Sequence, residues 1–300
     1  MKVEIAVDAG PHLPGGAPNR VAMDVHLPER LAPDAVLFFC LPGGGVTRGY
    51  FDLDGGSGTR FSFAREMIAA GHVVVAADPV GVGGSTRPED GFALTAAVEA
   101  DLMHRAFLAM RGQVIGGVAL GALRVVGGGH SAGAMIAVMQ QAAHRDFAAM
   151  ILFCFGTGGL PEQLSPAQKA ALDEPDGGRS RIVEFARTRF GQAYVEPPVR
   201  YDATPASQAL RAVHDQVVLV VGVQAMTPGS VRTELATVDV PVFLAVGDRD
   251  MTGPPHLLGM DYAACPDFTL FVLPTSGHHV FVAPAAPDLY RRVGNWLESL

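Results

Sequence analysis

Gly129-His130-Ser131-Ala132-Gly133 is the segment of this sequence with the clearest chemical potential. A serine flanked at two residues' distance by glycines suits a sharp turn from strand to helix that lifts a hydroxyl above a sheet. The glycines are needed because other chain segments pass close by. The pentapeptide alone is weak evidence, and the plain alternative is a glycine-rich turn with an ordinary serine. Its context strengthens it, with a β-rich stretch at 124–126 before it and a helical pattern over 132–143 after it. A rival pattern overlaps it: Gly127-x-Gly129-x-x-Ala132 fits the looser dinucleotide-binding fingerprint. That fingerprint wants an acid at the end of the following strand. Asp146 instead precedes that strand, Phe155-Gly156 closes it without an acid, and the segment lies mid-chain.

Two further turns carry partners for a serine. Gly247-Asp248-Arg249-Asp250 follows an apolar run, and a carboxylate there can orient an imidazole and stabilise its charged form. Asp250 is the better candidate and Asp248 the runner-up; a solvated turn is the alternative. Ser276-Gly277-His278-His279 follows the last apolar run. His278 is preferred to His279 because Gly277 lets the loop bend inward. The order Ser131, Asp250, His278 is the order of a catalytic triad on a parallel sheet. Pro42-Gly43-Gly44-Gly45 offers bare amides for a tetrahedral oxyanion, with Ala132 as one donor and Gly44, then Gly45, as the second. An adjacent histidine pair does not present two ligands on one helix face, and no H-x-x-x-H occurs, so no metal is expected.

The elements that must position these groups alternate. Residues 3–7 and 21–26 have the two-residue period of a hairpin-like pair at a sheet edge. The runs 35–41 (AVLFFCL), 72–77, 148–155, 240–246 and 269–273 read as strands buried on both faces. Helical patterns cover 61–70, 94–110, 132–143 and 286–297, with Glu99, Asp101 and Arg105 expected on the wet side of the second. Such alternation predicts a mostly parallel sheet with helices on both faces, and reacting groups at the carboxyl ends of its strands. From about 156 to 232 the alternation fails. This stretch reads as an inserted cap over 157–232, between core segments 1–156 and 233–300. Within it, 217–223 (VVLVVGV) is ambiguous between strand and helix, and the cap-helix reading is preferred.

Bulk composition sets limits. The chain has 300 residues, 49% of them apolar and 17% charged, enough for a large core. A net charge of −8 and only two lysines, Lys2 and Lys169, argue against a nucleic-acid partner. No apolar stretch approaches the roughly 20 residues that span a bilayer. Glu4 and Asp8 stand where a signal peptide would need an apolar core, so a cytoplasmic location is expected. Three scattered cysteines, Cys40, Cys154 and Cys265, read as free thiols, the first two as small apolar filler.

Taken together, five segments resemble the α/β-hydrolase superfamily: LPGGG at 41–45, DPVGVGGS at 78–85, GHSAG at 129–133, GDRD at 247–250 and SGHH at 276–279. The resemblance covers nearly the whole chain outside the insertion. It implies a mostly parallel eight-stranded sheet with an inserted cap, Ser131 as nucleophile, His278 as base and Asp250 as acid. It also implies no cofactor. Pro42 departs from the histidine usual in that family's oxyanion loop, which leaves the second donor open. Serine at the elbow, where dehalogenases and epoxide hydrolases carry aspartate, leaves esterases, lactonases, thioesterases, amidases and carbon–carbon hydrolases. The apolar cap residues Ile182, Val183, Phe185, Phe190, Val218, Val220 and Met226 suit a small or medium apolar ester, unless they form only the cap's own core. His130, Met226 and Phe185 are the expected substrate contacts. A thioesterase is the alternative enzyme, with Arg181, Arg187, Arg189 and Arg200 as a basic entrance for a carrier arm. A catalytically silent receptor on the same scaffold is the alternative of a different class.

Overall fold

A computed structural model describes residues 1–13, 16–56 and 58–300. Eight strands form the main sheet: β1 (Lys2–Pro11), β2 (Pro18–His26), β3 (Val36–Leu41), β4 (Val73–Ala77), β5 (Arg124–His130), β6 (Ala149–Phe153), β7 (Val242–Gly247) and β8 (Phe268–Leu273). Their order is β1-β2-β4-β3-β5-β6-β7-β8. β2 pairs antiparallel with both β1 and β4; every other pairing is parallel.

The continuous apolar strands are explained by their two covered faces. In β3, Leu37, Phe39 and Leu41 enter one core while Val36, Phe38 and Cys40 enter the other. Burying Phe38 and Phe39 completely is worth about 1.5–3 kcal/mol each. Helices α2 (Ala96–Arg111) and α3 (Ala132–His144) cover the first face, and α1 (Phe63–Ala69) the second. Ser62 and Thr95 cap α1 and α2 through their hydroxyls, accepting the Arg65 and Val98 amides at 3.0 and 3.2 Å.

Between β6 and β7 the chain leaves the sheet. It forms α4 (Pro166–Ala171), α5 (Ile182–Phe190), α6 (Pro205–Ala212), α7 (Leu219–Met226) and the single turn α8 (Arg232–Leu235). Ile182, Phe185, Leu219, Val220 and Val223 pack into a third, smaller core there. After β8, α9 (Ala286–Glu298) returns to the second face of the sheet through Leu289, Val293 and Trp296.

One expectation holds in part, since the helix preferred for 217–223 begins at Leu219, and one changes. Val217–Val218 pairs antiparallel with Tyr194–Val195 before α7 begins at Leu219, so the ambiguous run is a short ribbon followed by a helix. Glu99 is not on the wet side of α2 but fully buried. It shares a helix face with Leu102, Met103 and Ala106, at the i+3, i+4 and i+7 positions.

Candidate active site

The parallel register sets five strand ends, those of β3, β5, β6, β7 and β8, side by side. Leu41 pairs with Gly129, Phe153 with His130, and Gly247 with Leu273. Ser131 follows directly, between the end of β5 and the start of α3. Its backbone has φ 51° and ψ −118°, outside the regions that L-residues ordinarily occupy. Its amide donates to the Phe153 carbonyl at 2.9 Å. The flanking glycines make this turn possible. A Cβ on Gly129 would lie 2.5 Å from the Leu41 carbonyl oxygen, and one on Gly133 would run into the carbonyls of Leu41 and Pro42.

The hydroxyl of Ser131 lies 2.9 Å from His278 Nε2, and His278 Nδ1 lies 2.7 Å from Asp250 Oδ1. With Nδ1 donating to the carboxylate, Nε2 is the acceptor for the serine proton. Asp248 does a different job: its two oxygens accept the amides of Thr275 and Ser276, each at 2.9 Å, and hold the histidine loop against the acid loop. Those bonds keep the Asp248 carboxyl below its usual range. Burial acts on Asp250 in the opposite sense, pushing it up. The hydrogen bond and charge of His278, with help from the Cys154 thiol and the Met251 amide, outweigh burial, and the net shift is downward. Cys154, expected as filler, is buried beside that carboxylate, and burial followed by the Asp250 charge pushes its thiol well up.

Ala132 is the first residue of α3, so its amide has no acceptor within the helix. Gly44 stands opposite: a Cβ built on it would lie 4.0 Å from that of Ala132. Both residues border the same cavity as Ser131 and His278. Gly45, the other candidate donor, does not border that cavity. It is the turning point, at φ +84°, and its carbonyl accepts the Asp215 amide at 2.9 Å. Two more bonds follow it: the Thr47 amide donates to Val213 at 2.8 Å, and Val46 bridges His214. From below, Asp78 accepts the Arg48 amide at 2.6 Å and the Arg48 guanidinium at 2.5 Å, which ties the same loop to the 78–85 segment.

The cavity over Ser131 measures about 400 Å³. Its walls include Phe155 from β6's end and Leu160, Phe190, Val195, Leu219 and Met226 from the insertion. Two expected substrate contacts are elsewhere. Phe185 faces the insertion's own core, because α5 turns its other face to the cavity. His130 is 1% exposed, since a strand residue beside an outward-facing serine points inward. Its Nε2 donates to the His278 carbonyl at 2.8 Å, and its ring packs 4.5 Å from that of Tyr50. This bond across 148 residues positions the His278 loop, and the sequence carries no signal for it. Burial, then repulsion from His278 and His279, pushes His130 well down, so it is neutral. His279 is pushed down to about 4, by burial first and His278 second.

His130, Cys154 and His278 bring ligand atoms within 4.8 Å of one another. Their donor set fits a metal poorly: both nitrogens of His278 are engaged by Ser131 and Asp250, and His130 Nε2 by a carbonyl. Among the described residues no helix is long and apolar enough to cross a membrane.

A model of the alpha/beta hydrolase family matches residues 38–289. None of the curated proteins compared matches the chain. Among solved structures, a thermophilic esterase from Thermogutta terrifontis is similar over 98% of both chains, at 18% identity and a TM-score of 0.64. Proline iminopeptidase from Mycobacterium smegmatis is similar over 98% of both, at 18% and 0.60. A thioesterase domain from the curacin biosynthetic pathway is similar over 98% of this chain and 99% of that one, at 15% and 0.58. Identities this low speak to the fold.

Proposed function

The chain belongs to the alpha/beta hydrolase family, and from that premise we propose that it is a serine hydrolase cleaving carboxylic esters of small to medium apolar acids. The carrying observation is the unbroken proton path from Ser131 through His278 to Asp250, at 2.9 and 2.7 Å. Ser131 attacks the carbonyl as His278 takes its proton. Asp250 stabilises the imidazolium, and the amides of Ala132 and Gly44 receive the oxyanion. His278 then protonates the leaving alkoxide, and the acyl-enzyme is hydrolysed by water that the same imidazole activates.

The substrate class rests on the cavity. Its apolar walls suit a hydrocarbon acyl group, and about 400 Å³ lies within the range of small-molecule sites. Residues 157–232 act as a cap, supplying most of that apolar wall. A carrier-bound thioester is less well supported. Arg181 is paired with Glu174 and Glu184, and Arg187 with Asp90, which leaves Arg189, bordering the cavity and bonded to the Gln163 carbonyl and Gln168, and Arg200 as the cations of a basic entrance. A silent receptor would have no use for the aligned proton path.

The test is reaction with a fluorophosphonate probe, followed by turnover of p-nitrophenyl esters of graded chain length. Labelling at Ser131, and loss of about a million-fold in kcat in Ser131→Ala, are expected. A folded protein that ignores the probe, or a Ser131→Ala variant with near-parental turnover, would overturn the reading.

A further inference from the structure

We propose that Glu99 is a positioning residue for the oxyanion loop, acting through one buried water held behind Gly43 and Gly44. The inference rests on the acyl-transfer reading, in which the Gly44 amide receives the oxyanion.

Glu99 lies on the sheet-facing side of α2 with no exposed surface. One oxygen, Oε2, accepts the amide of Val80 at 3.1 Å, anchoring the segment that follows β4. The other, Oε1, is buried and has no hydrogen-bond partner among the described residues. Glu99 borders a cavity of about 20 Å³ whose walls also include Gly43, Gly44, Ala132, Val217 and Val221. The same Gly44 and Ala132 border the substrate cavity on their other side. The two residues assigned to the oxyanion therefore form a thin partition between the substrate and Glu99.

A water needs about 10–15 Å³ and at least two polar partners; the space is large enough for one, and Glu99 supplies the first partner. An apolar side chain of similar length would leave the buried Val80 amide unmet, so one carboxyl oxygen is accounted for and only Oε1 lacks a partner. A carboxyl group here makes physical sense if its second oxygen has a polar occupant to hold. Burial drives Glu99 well above the carboxylate range, opposed only by the Val80 bond, and so favours the protonated form. A neutral acid accepts from Val80 with one oxygen and donates from the other. A water accepting that proton would bridge Glu99 to the backbone of the Gly43–Gly44 segment, which borders the same space.

The primary test is a high-resolution crystal structure of the parent protein. One ordered water bonded to Glu99 Oε1 is expected; a dry cavity overturns the inference, as does Oε1 bonded directly to a protein group. Kinetics supply the second arm. Glu99→Gln keeps an acceptor and a donor, and should retain kcat within about twofold. Glu99→Met matches the length without either, and should lose about tenfold to a hundredfold in kcat at unchanged KM. Equal losses in both variants, or none in Glu99→Met, would refute a positioning role. If Glu99→Met does not fold, the parent crystal structure and the Glu99→Gln rates still decide. The parent's labelling at Ser131 separates the two levels: an unlabelled parent removes the acyl-transfer reading itself, whereas a labelled parent with a dry cavity removes only this inference.

Discussion

Replacing Asp250 with Asn exchanges a charge for an isosteric amide, and the geometry sets the size of the effect. Oδ1 lies 2.7 Å from His278 Nδ1, and the Asp250 side chain is 1% exposed. With charge centres about 4 Å apart and an effective dielectric of about 20, the carboxylate stabilises the imidazolium by about 4 kcal/mol. That is about a thousandfold in rate. An amide nitrogen turned toward Nδ1 would also force the proton onto Nε2, where it faces the serine hydroxyl and blocks proton abstraction. The combined loss in kcat/KM should approach ten-thousand-fold. The assay is hydrolysis of a p-nitrophenyl ester, with circular dichroism to confirm folding. Asp248→Asn is the control: it disturbs two loop amides but no charge on the proton path, and should cost less than about tenfold. An Asp250→Asn enzyme that keeps more than about a tenth of parental activity would refute the reasoning, and so would a larger loss at Asp248.

Gly133→Ala would push a methyl group into the carbonyls of Leu41 and Pro42. Overpacking of this kind costs about 1–3 kcal/mol, and calorimetry should show Tm lowered by about 2–5 °C; an unchanged Tm would contradict the close approach. His279 bears on pH. Its folded pKa is depressed from 6.5 to about 4, so the unfolded state binds the proton more readily. Its contribution is therefore complete above pH 6.5 and drains away as pH falls toward 4, by about 3 kcal/mol in all. Melting curves across that window should be less steep in pH for His279→Gln than for the parent, and identical slopes would count against a buried neutral ring. Met226→Ala should enlarge the acyl cavity and shift the preferred p-nitrophenyl ester to a longer chain. An unshifted optimum would place the acyl group elsewhere.

Much of the sheet was legible because a strand covered on both faces has to be apolar throughout, as residues 35–41 are. Asp250 and His278 were findable for a related reason, since each follows such a run at a glycine-containing turn, whereas Ser131 follows the short β-rich stretch 124–126 and was found by its flanking glycines. Other features were less accessible, for different physical causes. The burial of Glu99 was written in the i+3, i+4 and i+7 pattern of α2, but the residue's charge argued the other way and solvation was the default. Val217–Val223 defeats periodicity because a two-residue ribbon is too short to show any. The inward turn of His130 depends on the pleat beside an irregular serine, and its partner lies 148 residues away. Phe185 and Phe190 share one helix and one chemistry, yet only the second reaches the cavity. That distinction requires knowing which face of α5 meets α7.

Residues 213–215 grip the chain immediately after Gly44 through the Asp215–Gly45 and Thr47–Val213 bonds and the bridge from His214 to Val46. The insertion that walls the cavity and the Gly44 amide proposed to receive the developing charge are thereby fastened together. Exchanging the insertion for one taken from another hydrolase is consequently not a swap of selectivity alone. A graft with a different length or a different turn at this fastening would drag the Gly44 amide out of line, and turnover would fall even where the new acyl chain fits.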